Sequence, residues 1–130
     1  MKKIDGLTLH VQDLLRSWRA VQARRMFGGI GLFVDGLMFA IIIDEVLYLK
    51  ETLDEHGKPV QTSEHYDEDD FVKEYFEYET KNGVGRIYYF RVPESALDNP
   101  DYLTRLSSLS LKSAQAQALK KSQKSKKGRK

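Results

Sequence analysis

The 130-residue sequence contains no cysteine. This absence excludes a disulfide scaffold, a thiol nucleophile, an iron–sulfur cluster and a zinc site with cysteine ligands. The sequence also has few prolines, three in all, and no apolar run near the ~18 residues of a membrane-spanning helix. No apolar segment of a signal peptide follows Lys2 and Lys3, because Asp5 and polar residues come next. We therefore expect a cytoplasmic protein with no membrane segment.

Catalytic and metal-binding motifs are missing as well. No serine lies in a G-x-S-x-G turn, and the histidines do not have the spacing of a metal-binding helix. These histidines are His10, His56 and His65. Acidic residues surround the third histidine, at Glu64, Asp67, Asp69 and Asp70. This run lacks the glycine and the spacing of a calcium loop, so we interpret it as a solvated acidic surface. We predict no catalytic residues, no metal and no cofactor.

Charge is distributed unevenly along the chain. Residues 120–130 contain no acidic residue and seven basic ones: Lys120, Lys121, Lys124, Lys126, Lys127, Arg129 and Lys130. Residues 1–119 hold the remaining 14 basic residues against 19 acidic ones, a formal charge of −5. The basic segment has no apolar residue to bury, so we predict a disordered tail after a folded domain at 1–119. Such a run attracts nucleic-acid phosphates without reading sequence; the alternatives are a solubilising tail or one that folds back onto the acidic domain.

Two helices are predicted at the ends of the folded part. Apolar residues with helical spacing indicate an amphipathic helix from about residues 8–10 to Arg19: Leu7, Val11, Leu14, Leu15, Trp18 and Val21. Asn99 followed by Pro100 is typical of a helix start, since asparagine caps and proline suits the first turn. We expect this second helix to end near Leu119. Its predicted packing face is Leu103, Leu106, Ser110 and Ala114.

The middle of the chain predicts antiparallel strands. Asp35-Gly36 between apolar runs favours a tight hairpin turn. The apolar run Leu37–Ile43 is typical of a central strand, Asp44-Glu45 marks a second turn, and Val46–Lys50 alternates as a third strand. Loops this short leave no room for crossover helices. We predict a three-stranded antiparallel meander.

A second hairpin is predicted further along. Its strands are Phe76–Thr80 and Arg86–Val92, around a turn at Lys81–Gly85. The acidic residues 67–70 favour a short helix through Glu74, and Pro93–Leu97 favours a helical turn. The fold class is thus α+β with two layers: an antiparallel β-meander plus hairpin sheet flanked by N- and C-terminal helices.

Three glycines lie within Phe27-Gly-Gly-Ile-Gly31. In a dinucleotide-binding G-x-G-x-x-G fingerprint that starts at Gly29, the last glycine is missing, because Val34 stands in its place. The segment also lacks the Gly-Lys-Ser/Thr of a phosphate loop. We interpret the glycines as allowing a bend, a bulge or close backbone approach. A second interpretation joins Arg24 and Arg25 to the glycine bend as an anion site, against the plainer one of salt bridges on an acidic protein.

Aromatic residues concentrate in the second hairpin, at Tyr75, Phe76, Tyr78, Tyr88, Tyr89 and Phe90. Aromatic residues can stack nucleic-acid bases. Glutamates interleave with them here, at Glu74, Glu77 and Glu79, and would repel phosphate. We therefore favour cross-strand aromatic pairing.

The segment from Ala23-Arg-Arg-Met-Phe-Gly-Gly through Leu47-Tyr-Leu-Lys50 closely resembles the N-terminal domain of the TfoX/Sxy family. Phe76-Glu-Tyr-Glu, Tyr88-Tyr89 and Val92–Asp101 are similar to its usual ending. The resemblance covers about residues 8–115 and implies a two-layer α+β fold. The signature residues are Arg24, Arg25, Met26, Phe27, Gly28, Gly29 and Gly31. We interpret their role as structural.

The resemblance also implies a function. Well-known members of the family are bacterial regulators of natural competence that act as transcriptional co-activators beside a DNA-binding activator. They resemble adaptors rather than enzymes. Full-length members continue into a second domain, where this sequence has a basic tail. We expect a regulatory adaptor that binds a protein partner in the transcription machinery, with a tail that contacts nucleic acid. The alternative is a small anion- or nucleotide-binding module, or an enzyme, at Arg24 and Arg25.

Overall fold

A computed structural model describes residues 6–26, 28–60, 66–67 and 71–127, and the side chains of the last helix as far as Ser122. Two α-helices lie at the ends of this part of the chain, α1 (Gly6–Leu14) and α2 (Pro100–Lys127), and a 3₁₀ turn at Glu94–Asp98 precedes α2. Six strands lie between them: β1 (Gln22–Met26), β2 (Gly29–Val34), β3 (Leu37–Ile43), β4 (Val46–Lys50), β5 (Tyr75–Thr80) and β6 (Gly83–Arg91).

The six strands form one antiparallel sheet in the order β1-β2-β3-β4-β6-β5. The predicted α+β class, with meander, hairpin and terminal helices, is confirmed. The sequence analysis did not separate β1 from β2, so the meander has one strand more than predicted. The hairpin joins the meander through β6, since Leu49 of β4 pairs with Phe90.

Two tight turns set the register of the meander. Asp35 and Gly36 both have positive φ, 52° and 80°, and so do Asp44 and Glu45, at 51° and 61°. Positive φ at both central residues is the geometry of the two-residue turn that matches the twist of a hairpin. Both predicted turns are confirmed.

Both helices pack on the same face of the sheet, which we call the covered face. Its core contains fully buried residues of both helices, of the turn after α1 and of the strands: Val11, Leu15, Leu32, Ile42, Leu47, Leu49, Leu103 and Leu106. The predicted apolar stripe of the first helix packs there, but α1 ends at Leu14 rather than near Arg19. The chain continues in turns, and Trp18 meets Phe39 edge to face at 5.7 Å.

Helix α2 begins as predicted, because the Asn99 side-chain oxygen accepts a hydrogen bond from the Tyr102 backbone N–H at 3.1 Å. Its predicted packing face is buried. The helix continues to Lys127 instead of ending near Leu119, so residues 120–127 are helical where the sequence predicts disorder. Alanine, lysine and glutamine are good helix formers, and adding residues to an existing helix costs little. The division into a domain at 1–119 and a tail at 120–130 stays a prediction.

The segment between β4 and β5 contains one error of the sequence analysis. Residues 71–74 are not helical, so the predicted short helix through Glu74 is wrong; residues 68–70 lie outside the described part. Instead, Phe71 and Tyr66 stack at 4.6 Å beside the core. Burial of these rings on the covered face outweighs the helix-capping tendency of the acidic residues.

Candidate docking face of the sheet

The strand registers place a second set of side chains on the face opposite the helices, which we call the open face. In the meander half these include Arg24, Met26, Phe33, Met38, Ile41 and Ile43. In the hairpin half they include Tyr48, Lys50, Phe76, Tyr78, Tyr89 and Arg91. None of them belongs to the core cluster that contains the helices. Within the described residues, no helix packs on this face.

The open face is largely apolar, and several of its side chains are shielded from water. Ile41, Phe33 and Tyr89 are only 7%, 8% and 9% exposed although no helix covers them. Basic side chains shield two of these rings, since the Arg24 guanidinium lies 4.8 Å from the centre of Phe33 and the Lys50 ammonium 5.3 Å from that of Tyr89. Burial raises the pKa of Tyr89 to about 12. Neighbouring side chains therefore keep much of this face from water.

Glycines from the signature segment shape the meander half of the open face. Gly28 has φ +76° at the bend between β1 and β2. A Cβ at Gly29 would lie 2.6 Å from the Ile42 carbonyl oxygen, and a Cβ at Gly31 would lie 2.8 Å from the Met26 sulfur. A Cβ at Gly29 would clash with rigid backbone, whereas a Cβ at Gly31 would displace the ends of flexible side chains, so the absence of a side chain matters most at Gly29. Phe27 lies outside the described residues.

The two arginines of the signature point to opposite sides of the sheet. Arg24 pairs with Gly31 on the open face, and Arg25 pairs with Ile30 on the covered face. Successive strand residues always separate in this way. The two guanidinium groups therefore do not converge on one anion beside the glycine bend.

The aromatic residues of the hairpin also divide between the two faces. Tyr75 meets Tyr88 edge to face at 5.2 Å on the covered face. On the open face, Phe76 contacts Tyr48 at 5.4 Å and stacks with Tyr78 at 6.4 Å. The expected cross-strand pairing is confirmed for Tyr75 and Tyr88.

Charge differs between the faces as well. Every strand position on the open face is apolar, glycine, uncharged polar or basic. Its three cations, Arg24, Lys50 and Arg91, form no ion pair with a carboxylate of the described residues. Two of the glutamates that interleave with the aromatics in sequence, Glu77 and Glu79, lie on the opposite side, where Glu77 binds Arg86 at 2.8 Å. The third, Glu74, precedes β5, and its backbone oxygen accepts a hydrogen bond from the Arg91 N–H of the open face. Strand pleating thus separates Glu77 and Glu79 from the open-face rings.

A buried polar cluster on the covered face was missed in the sequence analysis. Glu51 is 3% exposed, and its carboxylate accepts hydrogen bonds from Lys73 Nζ at 2.6 Å, the Tyr75 hydroxyl at 2.7 Å and the Thr52 backbone N–H at 2.9 Å. The Lys73 ammonium also lies 5.5 Å from the ring centre of Tyr66. Partners 22 and 24 residues apart leave no local pattern, so only the tertiary fold reveals this cluster.

The same cluster raises the pKa of two tyrosine side chains. Burial, the hydrogen bond to Glu51 and the charge of that carboxylate raise the pKa of Tyr75, and burial followed by the charge of Glu51 raises that of Tyr66. A cavity of about 160 Å³ adjoins Lys73. Three donors already hydrogen-bond to the Glu51 carboxylate. We therefore interpret the cluster as structural: it holds the segment before β5 against the sheet.

The remaining candidates of the sequence analysis are dispersed. His10 contacts the Leu97 carbonyl oxygen at 2.6 Å, His56 is exposed, and His65 lies outside the described residues. In the described ranges, no group of three or more histidines and carboxylates could hold a metal ion. Nor is any helix there long and apolar enough to cross a membrane.

The basic residues near the C-terminus lie at the end of α2 or beyond it. Lys120 and Lys121 are exposed. Lys124, Lys126 and Lys127 belong to the last turns of the helix, but their side chains lie outside the described part, as do Arg129 and Lys130.

A six-stranded antiparallel sheet with helices on one side defines a two-layer α+β protein. Comparison with protein families then gives a specific match: the model of the TfoX N-terminal domain covers residues 13–114. The chain belongs to the TfoX N-terminal domain family, as the resemblance implied. A comparison with curated proteins gives no significant match.

Proposed function

We propose that this chain is a non-enzymatic regulatory adaptor of the cytoplasm. Its sheet binds a protein partner, in the transcription machinery or an activator, through the open face. Its C-terminal lysines add non-specific affinity for nucleic acid. The observation that carries the proposal is the open face itself, a largely apolar sheet face whose strand positions hold cations but no carboxylate, on an otherwise acidic domain. Membership of the TfoX N-terminal domain family supports a regulatory role.

The composition of the central strand supports docking on this face. Leu37–Ile43 is apolar at every position, whereas a strand with one face in water alternates apolar and polar residues. Met26 and Met38 add flexible thioethers, which adapt to the shape of a partner. The apolar side chains of this face that stay at least partly exposed, among them Met26, Met38, Ile43 and Tyr78, mark it as a candidate interaction site.

Site-specific photo-crosslinking in the native cell tests the docking face. A benzophenone side chain replaces Tyr78, which is 46% exposed on the open face. The matched control replaces Val84, which is 68% exposed on the opposite face of the same hairpin. We expect a discrete protein adduct from position 78 and none from position 84. No adduct from position 78, or equal adducts from both, would refute docking on this face.

A gel shift with duplex DNA over a range of salt concentrations tests the lysines. The full chain should bind at low salt and release steeply as salt rises, because counterion release makes the slope about −0.9 per phosphate contacted. A chain ending at Leu119 should not bind. Changing the seven basic residues to glutamine should abolish binding, whereas changing the six lysines to arginine should keep it. Equal binding with and without residues 120–130 would refute this part of the proposal.

A further inference from the structure

We infer that the partner segment that docks on the open face is an acidic, apolar polypeptide. Its carboxylates lie against Arg24, Lys50 and Arg91, and its large apolar side chains lie between them. This inference rests on the proposed function and adds the chemistry of the partner to it.

One row across the sheet sets the spacing of those groups. The registers align Arg24, Gly31, Ile41, Tyr48 and Arg91 from β1 to β6. Four strand spacings of ~4.8 Å separate the two arginines, about 19 Å in all. The backbones of the two arginines therefore stand at the two ends of an apolar row, and the Arg24 guanidinium reaches from its end over Phe33. A docked segment matches this row when its carboxylates are up to about 19 Å apart, which is at most roughly thirteen residues of α-helix or six of extended chain.

The middle of the row can adapt to an apolar anchor. Because Gly31 has no side chain, the sulfur atoms of Met26 and Met38 and the ring edge of Phe33 converge above it, each within 2.9 Å of where a Cβ would stand. Thioethers rotate at low cost and pack well against aromatic and branched side chains. The apolar side chains of the partner thus meet a soft surface at the centre and cations at the rim.

Lys50 supplies a further positive charge on the open face with which an anionic group can pair. It pairs with Tyr89, next to the pair of Tyr48 with Arg91, so Lys50 and Arg91 are diagonal neighbours at about 7–8 Å. Burial lowers the pKa of Lys50, because the half-buried ammonium loses hydration. No carboxylate of the described residues forms an ion pair with this ammonium. An incoming carboxylate restores a favourable environment for that charge.

Two other occupants fit the face less well. A second copy of the chain would bring the same three cations toward one another, since a two-fold interface pairs identical surfaces. Single-stranded nucleic acid needs exposed ring faces for stacking, whereas the meander half of the open face offers Ile41, Ile43 and two methionines. Tyr48 and Phe76 meet edge to face, at 74°, which hides part of each ring.

Selection of a random peptide library on the immobilised full chain tests the inference. Enriched peptides should carry net negative charge and at least two large apolar residues. The best peptide is then measured against the variant R24Q/K50Q/R91Q. Its control is K58Q/K81Q/K112Q, which removes the same charge from exposed positions away from the face. We expect at least about tenfold weaker binding to the first variant, equivalent to about 1.4 kcal/mol, and less than about twofold change for the control.

Several results would overturn this chemistry. Neutral or basic enriched peptides, no enrichment, or equal losses in the two variants contradict an acidic partner. If the chain binds labelled oligo(dT) and only the open-face variant abolishes that binding, the face binds nucleic acid. If light scattering shows a dimer, and Y78D dissociates it whereas V84D does not, the face binds a second copy of the chain. If acidic peptides fail while position 78 still gives a protein adduct, the adaptor function stands and only the partner chemistry is wrong.

Discussion

The two faces of the sheet are both largely apolar, but in the part of the chain that the structure describes, helices cover only one of them. On the covered face, α1 and α2 bury the strand side chains, and the buried ammonium of Lys73 meets the carboxylate of Glu51. On the open face, side chains shield one another, and Arg24, Lys50 and Arg91 have no carboxylate partner among the described residues. The difference indicates that the covered face provides stability, whereas we propose that the open face provides the binding groups.

The largest difference should come from removing one cation on each face. Lys73→Met leaves the Glu51 carboxylate buried without its counter-charge, so we expect a loss of about 3–5 kcal/mol in the free energy of unfolding. Arg91→Met on the open face should change it by less than about 0.5 kcal/mol, as for an exposed unpaired residue. Urea denaturation measures both. Equal losses of stability in the two variants would contradict the view that the Lys73 charge is paired on the covered face whereas the Arg91 charge is unpaired on the open face.

Neighbouring isoleucines of β3 compare apolar burial on the two faces. Ile42→Ala empties space in the covered core, and we expect a loss of about 2–5 kcal/mol. Ile43→Ala on the half-buried open face should cost roughly half as much, because less apolar surface returns to water. The comparison uses the same substitution one residue apart, followed by urea denaturation. A larger loss for Ile43 would mean that the open face is the principal core.

Alkaline pH tests how dry the open face is. Burial raises the pKa of Tyr89 to about 12, so the folded protein keeps a proton that the unfolded chain loses near pH ~10. Stability is therefore full below pH ~10 and falls as the pH rises toward the folded pKa, by at most about 2.7 kcal/mol for this group. Partial exposure of the ring reduces that figure.

Absorbance at 295 nm and urea denaturation between pH 9 and 12 follow this ionisation. Tyr89→Phe should flatten the loss of stability, whereas Tyr78→Phe, at an exposed position of the same face, should leave it unchanged. Ionisation of Tyr89 near pH ~10 in the folded protein would show that water reaches the open face freely.

The smallest expected difference in stability is between alanine substitutions at two glycines of β2. Gly29→Ala places a methyl group against the Ile42 backbone oxygen, which cannot move without distorting the sheet, so we expect a loss of about 1–3 kcal/mol. Gly31→Ala meets methionine sulfurs and a ring edge, which can rotate away, so its loss should be under about 1 kcal/mol. Thermal unfolding ranks the two. The reverse order would contradict the packing described above Gly31.

Local signals in the sequence predicted much of the fold. Asp35-Gly36 fixed one turn, Asn99 with Pro100 fixed the start of α2, and the apolar stripe from Leu7 identified the first helix. Ends of elements were less predictable: α2 continues beyond Leu119 because nothing in the following residues stops a helix. The short helix predicted through Glu74 failed because burial of Tyr66 and Phe71 beside the core outweighed local capping.

The candidate site needed the tertiary structure. Alternation within a strand already separates Glu77 from Phe76, but the sequence alone does not say which side the helices cover. The sequence by itself indicated the strands apart from the division of β1 from β2, together with the tight turns and the uneven distribution of charge, since each depends on neighbours a few positions apart. Strand order and register decided the row from Arg24 to Arg91 and the Glu51–Lys73 pair, because only pairing between distant segments brings those groups together.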